Sequence, residues 1–148
     1  MTTEHAPSSP PSTDTPRPAE GYAGDITSHL AWHWLQTDQA VLVDVRTDAE
    51  REWVGRVPGA VPVAWKQWPD MALNADFDAQ LRAVVPAGRS VVLLCRSGVR
   101  SVAAARRATE LGLTAYNILE GFEGDLDGQA HRGGTSGWRL RGLPWQQG

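Results

Sequence analysis

The sequence predicts an α/β fold around a mostly parallel central sheet, flanked by helices on both faces. Three observations carry this. Two short continuous apolar runs, Val41-Leu42-Val43 and Val91-Val92-Leu93-Leu94, have the composition of strands buried on both sides. Segments with helical signals alternate with such runs, as layered α/β sheets require. Glycine and proline punctuate the joins at Gly55, Pro58-Gly59, Pro86-Ala87-Gly88 and Gly112.

Taken in order, residues 1–20 hold Pro7, Pro10, Pro11, Pro16 and Pro18 among Ser and Thr. They offer little to bury, so composition predicts a disordered, solubilising tail over 1–20 and one folded domain over 21–148. Thr27 or Ser28 caps a short helix carrying Leu30, Trp34 and Leu35. The strand 41–43 ends in Asp44. Thr47-Asp48-Ala49-Glu50 has the capping-box spacing and starts a second helix, which Gly55 and Pro58-Gly59 stop. Residues 60–64 read as a short strand. Asn74 caps a helix over 77–85 with Phe77, Leu81, Val84 and Val85 on one face. After the strand 91–94 and a tight loop, an alanine-rich helix runs over 102–111, and Gly112 stands where a left-handed residue ends a helix. Residues 115–119 form the last strand. Residues 121–137 are glycine-rich and predict an irregular loop, 138–140 a last helical turn, and Leu143-Pro144-Trp145 a docked C-terminus.

The chain's 148 residues suit a single domain with a real core. Hydrophobic residues make up 41% and charged residues 21%, the balance of a soluble globular protein. With 14 Lys and Arg against 17 Asp and Glu, the net charge of −3 creates no global field for nucleic acid or an anionic membrane, so any anion site is local. The seven tryptophans read mostly as packing residues. No apolar segment is long enough to span a bilayer, and the N-terminus lacks a signal-peptide pattern. The single cysteine forbids an internal disulfide and a multi-thiolate zinc site. A reducing compartment suits a lone thiol, so the expected location is cytoplasmic.

That cysteine opens the run Cys95-Arg96-Ser97-Gly98-Val99-Arg100-Ser101. A thiol is a poor nucleophile until ionised, and three features here favour the ionised form. Gly98 lets the backbone curl so that successive N–H groups face inward. The helix starting near Ser101 points its positive end at the same place. Arg96 and Arg100 add full charges, and their guanidinium forks match a tetrahedral oxyanion. The plain alternative is an inert core thiol at a strand end, which two arginines and a glycine in the next five residues oppose. Arg100 is expected to close the loop by pairing with a carboxylate such as Asp44 or Glu52. Ser97 and Ser101 offer hydroxyls to a bound anion, Ser101 doubling as a helix cap.

Loop length separates two chemistries. Cysteine-dependent phosphatases place five residues between cysteine and arginine, whereas four lie between Cys95 and Arg100. The shorter cradle is cramped for a phosphate ester and takes a persulfide sulfur.

At this point a resemblance emerges. Val41-Leu42-Val43-Asp44-Val45-Arg46 resembles a strand ending in Asp-Val-Arg, and Gly55-Arg56-Val57-Pro58-Gly59-Ala60 resembles a Gly-His-Ile-Pro-Gly-Ala motif. The run Cys95 to Ser101 resembles an active loop that begins with cysteine and ends in arginine, and Gly142-Leu143-Pro144 a C-terminal Gly-Leu-Pro. In this order they mark similarity to the single-domain rhodaneses, thiosulfate sulfurtransferase-like proteins, over residues 25–145. Arg56 departs from the motif's histidine. Residues 125–137 look like an insertion. Ser97 stands where vertebrate thiosulfate-preferring enzymes carry lysine.

The resemblance implies a rhodanese-like fold and ping-pong transfer of a sulfane sulfur through a Cys95 persulfide. The donor would be thiosulfate or a relative, and the acceptor cyanide, a thiol or a protein. The Arg96 to Arg100 backbone N–H groups would stabilise the persulfide, with Asp44 and Arg46 supporting the loop. No cofactor, metal, nucleic acid or membrane is implied. Competing readings are a non-catalytic or redox-sensing module of the same fold and, further off, a cysteine phosphatase or arsenate reductase.

Weaker signals resolve to ordinary roles. His29 and His33 have the spacing of a zinc-protease helix, but Leu30 stands where its glutamate belongs. Asp125 and Asp127-Gly128 resemble the start of a calcium loop whose later ligands are missing, and read as turn residues. His131-Arg132 reads as part of a solvated loop.

Overall fold

The computed structural model describes residues 14–67 and 70–147. It holds a five-stranded, all-parallel sheet in the order β1-β7-β6-β2-β3. The elements in chain order are β1 (Gly24–Ile26), α1 (Ser28–Gln36), β2 (Ala40–Asp44), α2 (Asp48–Trp53), β3 (Val61–Pro62), β4 (Lys66–Gln67), β5 (Ala72–Leu73), α3 (Phe77–Val84), β6 (Ser90–Leu94), α4 (Val99–Glu110) and β7 (Ala115–Ile118). β4 and β5 form a separate antiparallel pair. No helix of the described residues is long and apolar enough to cross a membrane.

β6 and β2 sit inside the sheet, which is why their apolar runs are continuous. Alternate residues serve opposite layers. Leu42, Val92 and Leu94 pack with Leu30, Ala31 and Trp32 of α1 and with Phe122, Trp138 and Leu143. Val43, Val91, Leu93 and Cys95 pack with Phe77 and Leu81 of α3 and with Ala104, Ala105 and Ala108 of α4. The alanine run of α4 lets that helix lie close on the sheet. Helices therefore cover both faces, as the sequence predicts, while α2 buries none of its residues and rides on the surface.

Thr47 makes the predicted capping box, with Glu50 N donating to Thr47 Oγ1 at 3.2 Å and Thr47 N to Glu50 Oε1 at 3.1 Å. Thr27 caps α1 through Leu30 N at 3.1 Å. Gly112, at φ 90°, follows α4 as expected.

Other boundaries differ. The third strand is two residues rather than five: it is the sheet edge, and past Pro62 the bonding to β2 loses its regular step, Val63 N donating to Asp44 O and Trp65 N to the adjacent Val45 O. Asn74 does not cap α3. Asp76 precedes that helix, and Asn74 turns the chain into it by accepting from Asp76 N and donating to Ala64 O. α4 begins at Val99 rather than 102. Asp14 to Glu20, assigned by composition to the tail, are tied down: Arg17 and Asp25 exchange backbone hydrogen bonds of 2.8 and 2.9 Å, and Thr27 Oγ1 donates to Asp14. The rest of the predicted tail lies outside the described residues.

Beyond β7 the chain makes a neck. Trp138 N donates to Gly121 O, Arg139 N donates to Phe122 O, and Gly124 packs against Ser136 so closely that a Cβ would come within 2.3 Å of its carbonyl. The predicted irregular loop hangs from this neck. Inside it Asp127 Oδ1 accepts from Gln129 N and His131 N, the turn role expected of it.

Candidate active site

β6 delivers Cys95 to the C-terminal edge of the sheet, and the chain must then reverse into α4. Gly98 makes the reversal possible. Its φ of 101° is open to glycine, and a Cβ there would come within 2.5 Å of Leu119 O. Gly98 is the N-cap of α4, so the helix starts three residues earlier than its alanine run suggests, and Ser101 lies inside the first turn rather than at the cap.

The curl brings donors onto the sulfur. Gly98 N–H reaches Cys95 Sγ at 3.1 Å, Ser101 N–H reaches it at 3.3 Å, and Ser101 Oγ lies at 3.2 Å. Cys95 is 1% exposed. Of the N–H groups expected from Arg96 to Arg100, the one found on Sγ is that of Gly98, and Ser101, just outside that span, supplies the second. Donors fixed on a buried sulfur stabilise negative charge there without reorganising solvent.

The loop is pinned from behind. Cys95 O accepts from Phe122 N at 2.8 Å, and Arg96 O accepts from Glu123 N and Gly124 N at 2.9 and 3.1 Å. Gly121 permits this approach, since a Cβ there would come within 2.6 Å of Arg96 O.

Arg100 does close the loop, but its partner is Glu50 rather than Asp44 or Glu52. Its two terminal nitrogens, Nη1 and Nη2, each donate to one Glu50 carboxylate oxygen at 2.7 Å. Helix geometry explains the choice. The capping box turns Glu50 toward the loop, and Glu52, two residues on, points to the opposite side of α2 and is exposed. Asp44 is already taken. It binds Arg46 through Oδ2···Nη2 at 2.7 Å and Oδ1···Nε at 3.0 Å. Arg46 also donates to Gly55 O at 2.7 Å and stacks 4.3 Å from the Phe122 ring centroid. Asp44 and Arg46 are thus internal struts and do not touch the sulfur.

Arg96 is exposed and makes no ion pair among the described residues. It lines a hollow of about 300 Å³ with Thr47, Ala49, Glu50, Met71 and Arg100. With Arg100 neutralised by Glu50, Arg96 is the uncompensated cation of this hollow. Ser97 is half-buried and Val99 exposed. Arg56 lies elsewhere, lining a charged hollow with Asp48, Arg51 and Glu52 while its backbone pairs with Gln146.

Sequence reasoning missed Glu50, Asn117 and Asp25. Ser101 Oγ donates to Asn117 Oδ1, Asn117 Nδ2 donates to Asp25 Oδ1 at 3.0 Å, and the Tyr22 hydroxyl donates to the same oxygen at 2.7 Å. The available signal was Asn117 itself, a polar residue in the apolar strand Ala115-Tyr116-Asn117-Ile118 and 2% exposed.

Burial pushes the Glu50 carboxyl up, but hydrogen bonds from Arg100 and Thr47 outweigh it and hold the group down at about 2, from 4.5. A depressed carboxyl stabilises the fold fully above its unfolded value and loses that contribution as pH falls. The window is therefore from about pH 5 down to about 2. With solvent screening of this half-buried group allowed for, Arg100 and Thr47 together contribute on the order of 1–2 kcal/mol through it at neutral pH. Urea unfolding across this window is expected to show a stability slope that Glu50→Gln flattens; parallel slopes in both proteins would refute the assignment.

Comparison with known proteins gives a consistent result. Residues 27–126 match the model of the Rhodanese-like domain. An uncharacterised protein of Rickettsia conorii is 36% identical over 128 residues, spanning 82% of this chain and 96% of its own. The thiosulfate sulfurtransferase GlpE of Actinobacillus succinogenes is 31% identical over 123 residues, spanning 82% of this chain and 89% of its own. The crystal structure of Rv0390 from M. tuberculosis is 50% identical with a TM-score of 0.78, covering 86% of this chain and 99% of that one. The parallel sheet, the cysteine loop at its edge and these matches agree: the chain belongs to the rhodanese-like domain family.

Proposed function

We propose that the protein is a sulfurtransferase that carries a sulfane sulfur on Cys95. The observation supporting this best is the pair of N–H donors from Gly98 and Ser101 on Cys95 Sγ, in a loop with four residues between Cys95 and Arg100. The Cys95 thiolate attacks the outer sulfur of thiosulfate. The donor S–S bond breaks, sulfite leaves with the electron pair, and a persulfide forms on Cys95. A thiophilic acceptor then attacks the outer sulfur, and the electron pair of the new S–S bond returns to Cys95. With cyanide the product is thiocyanate. Arg96 supplies attraction for the anionic donor at the mouth, and Arg100 holds the loop's shape through Glu50. Because Cys95 is the sole cysteine of the sequence, discharge goes to an external acceptor, an arrangement suited to the reducing cytoplasm.

Intact-mass measurement tests this directly. Incubation with thiosulfate is expected to add one sulfur atom to the protein, cyanide to remove it, and Cys95→Ser to prevent it. A wild-type chain that gains no sulfur from thiosulfate or from a small persulfide rules the reading out.

A further inference from the structure

Behind the cradle runs a polar chain that the proposed reaction does not use: buried Ser101 to buried Asn117 to half-buried Asp25, with half-buried Tyr22 joining at Asp25. Its direction is set from the far end. The Asp25 carboxylate only accepts, so the NH₂ group of Asn117 must face it. Burial and the Asp25 carboxylate push the Tyr22 hydroxyl up to about 12, so it too remains a donor to Asp25. Asn117 Oδ1 therefore faces Ser101 and takes its one hydroxyl proton. Ser101 Oγ, 3.2 Å from Cys95 Sγ, is left with lone pairs to offer the sulfur. Lone pairs suit a neutral S–H, which can donate into them. They do not suit a thiolate, which needs donors.

We infer that Asn117, oriented by Asp25, is a positioning residue that competes with Cys95 for the Ser101 hydroxyl proton. This deepens the reading of Cys95 as a sulfur carrier and rests on it for its catalytic meaning. When Cys95 ionises, the hydroxyl must leave Asn117 to serve the sulfur. When Cys95 carries a second sulfur, the charge moves to the outer atom and Sγ becomes neutral, so the hydroxyl returns to Asn117. The change is a rotation about the Ser101 Cβ–Oγ bond, with no net proton transfer. Asn117 thus opposes the ionised, empty state and favours the loaded one.

The charged and titratable groups around the sulfur are Arg96 and Arg100, Glu50 on α2 paired with Arg100, the Asp44–Arg46 pair at the end of β2 with Arg51 of α2 3.7 Å from Asp44, and Asp25 with Tyr22 behind Asn117. The decisive experiment is the pH profile of Cys95 alkylation by iodoacetamide in the full chain, which needs ionised sulfur but no sulfur transfer. Asn117→Ala frees the hydroxyl and is expected to move the profile to lower pH by roughly 0.5–1 unit. Asp25→Asn, close in shape, lets the Asn117 amide turn over and is expected to shift the profile the same way, which keeps the test valid if Asn117→Ala does not fold. In a Ser101→Ala background Asn117→Ala is not expected to move it, and Asp25→Asn is expected to move it only by the smaller amount that removing its charge contributes. Profiles that stay put, move to higher pH, or shift equally without the Ser101 hydroxyl overturn the inference. Sulfur loading of the wild type is measured separately: its absence with the expected alkylation shifts removes the transfer function and leaves the hydroxyl competition standing.

Discussion

Asp44→Ala is expected to cost the fold about 3–5 kcal/mol. Asp44 and Arg46 side chains are both fully buried, and the carboxylate takes three hydrogen bonds from Arg46 alone: Nε, Nη2 and the backbone N–H. Removing it strands a buried guanidinium with only the Gly55 carbonyl and the Phe122 ring to answer it. The cost comes from the uncompensated charge rather than from a strong native bond. The double substitution Asp44→Leu with Arg46→Met is therefore expected to be milder than Asp44→Ala alone. Urea unfolding of the three proteins settles the matter, and a loss below about 1 kcal/mol in Asp44→Ala contradicts the account. Because the pair does not touch Cys95 Sγ, folded Asp44→Ala protein is expected to load sulfur at a near-normal rate.

Gly98→Ala is expected to have the opposite profile. Alanine at φ 101° brings a methyl to 2.5 Å from Leu119 O and 3.3 Å from Ile118 O, so the loop must move. The backbone strain alone costs about 1–3 kcal/mol. The larger effect falls on the site, because Gly98 N–H is itself one of the two donors on Sγ. Displacing such a donor is expected to slow single-turnover loading from thiosulfate by about 100-fold or more. Gly88→Ala is the control. Gly88 also has positive φ, at 84°, but nothing lies within 4 Å of its added methyl. It is expected to lose stability without losing loading, and equal loading rates in the two variants would sink the cradle argument.

The legible parts of this protein were those that chemistry imposes on the sequence locally. β6 and β2 must be apolar throughout because both faces are covered, so their runs stand out. The cysteine loop is legible because a tight reversal needs its glycine and an anion site needs its arginines. The unread parts are created by distant partners. β1 holds a single apolar side chain, Ile26, and becomes a strand by pairing with β7, some ninety residues later. Residues 14–20 carry no core residue, yet they are ordered by backbone bonds to Asp25. Glu50 and Glu52 are equivalent as letters, and only the hand of α2 decides which meets Arg100. Asn117 is one polar residue in a short apolar strand, and only its neighbours on β1 and α4 give it a role.

The neck after β7 separates two kinds of freedom. Its near side, Phe122 to Gly124, clamps the carbonyls of the cysteine loop, and its far side returns through Trp138 to the sheet. Residues 125–136 are thereby an outgrowth whose length the sulfur cradle does not sense. Such an appendage can be lengthened, trimmed or exchanged while the cysteine loop beside it keeps its dimensions.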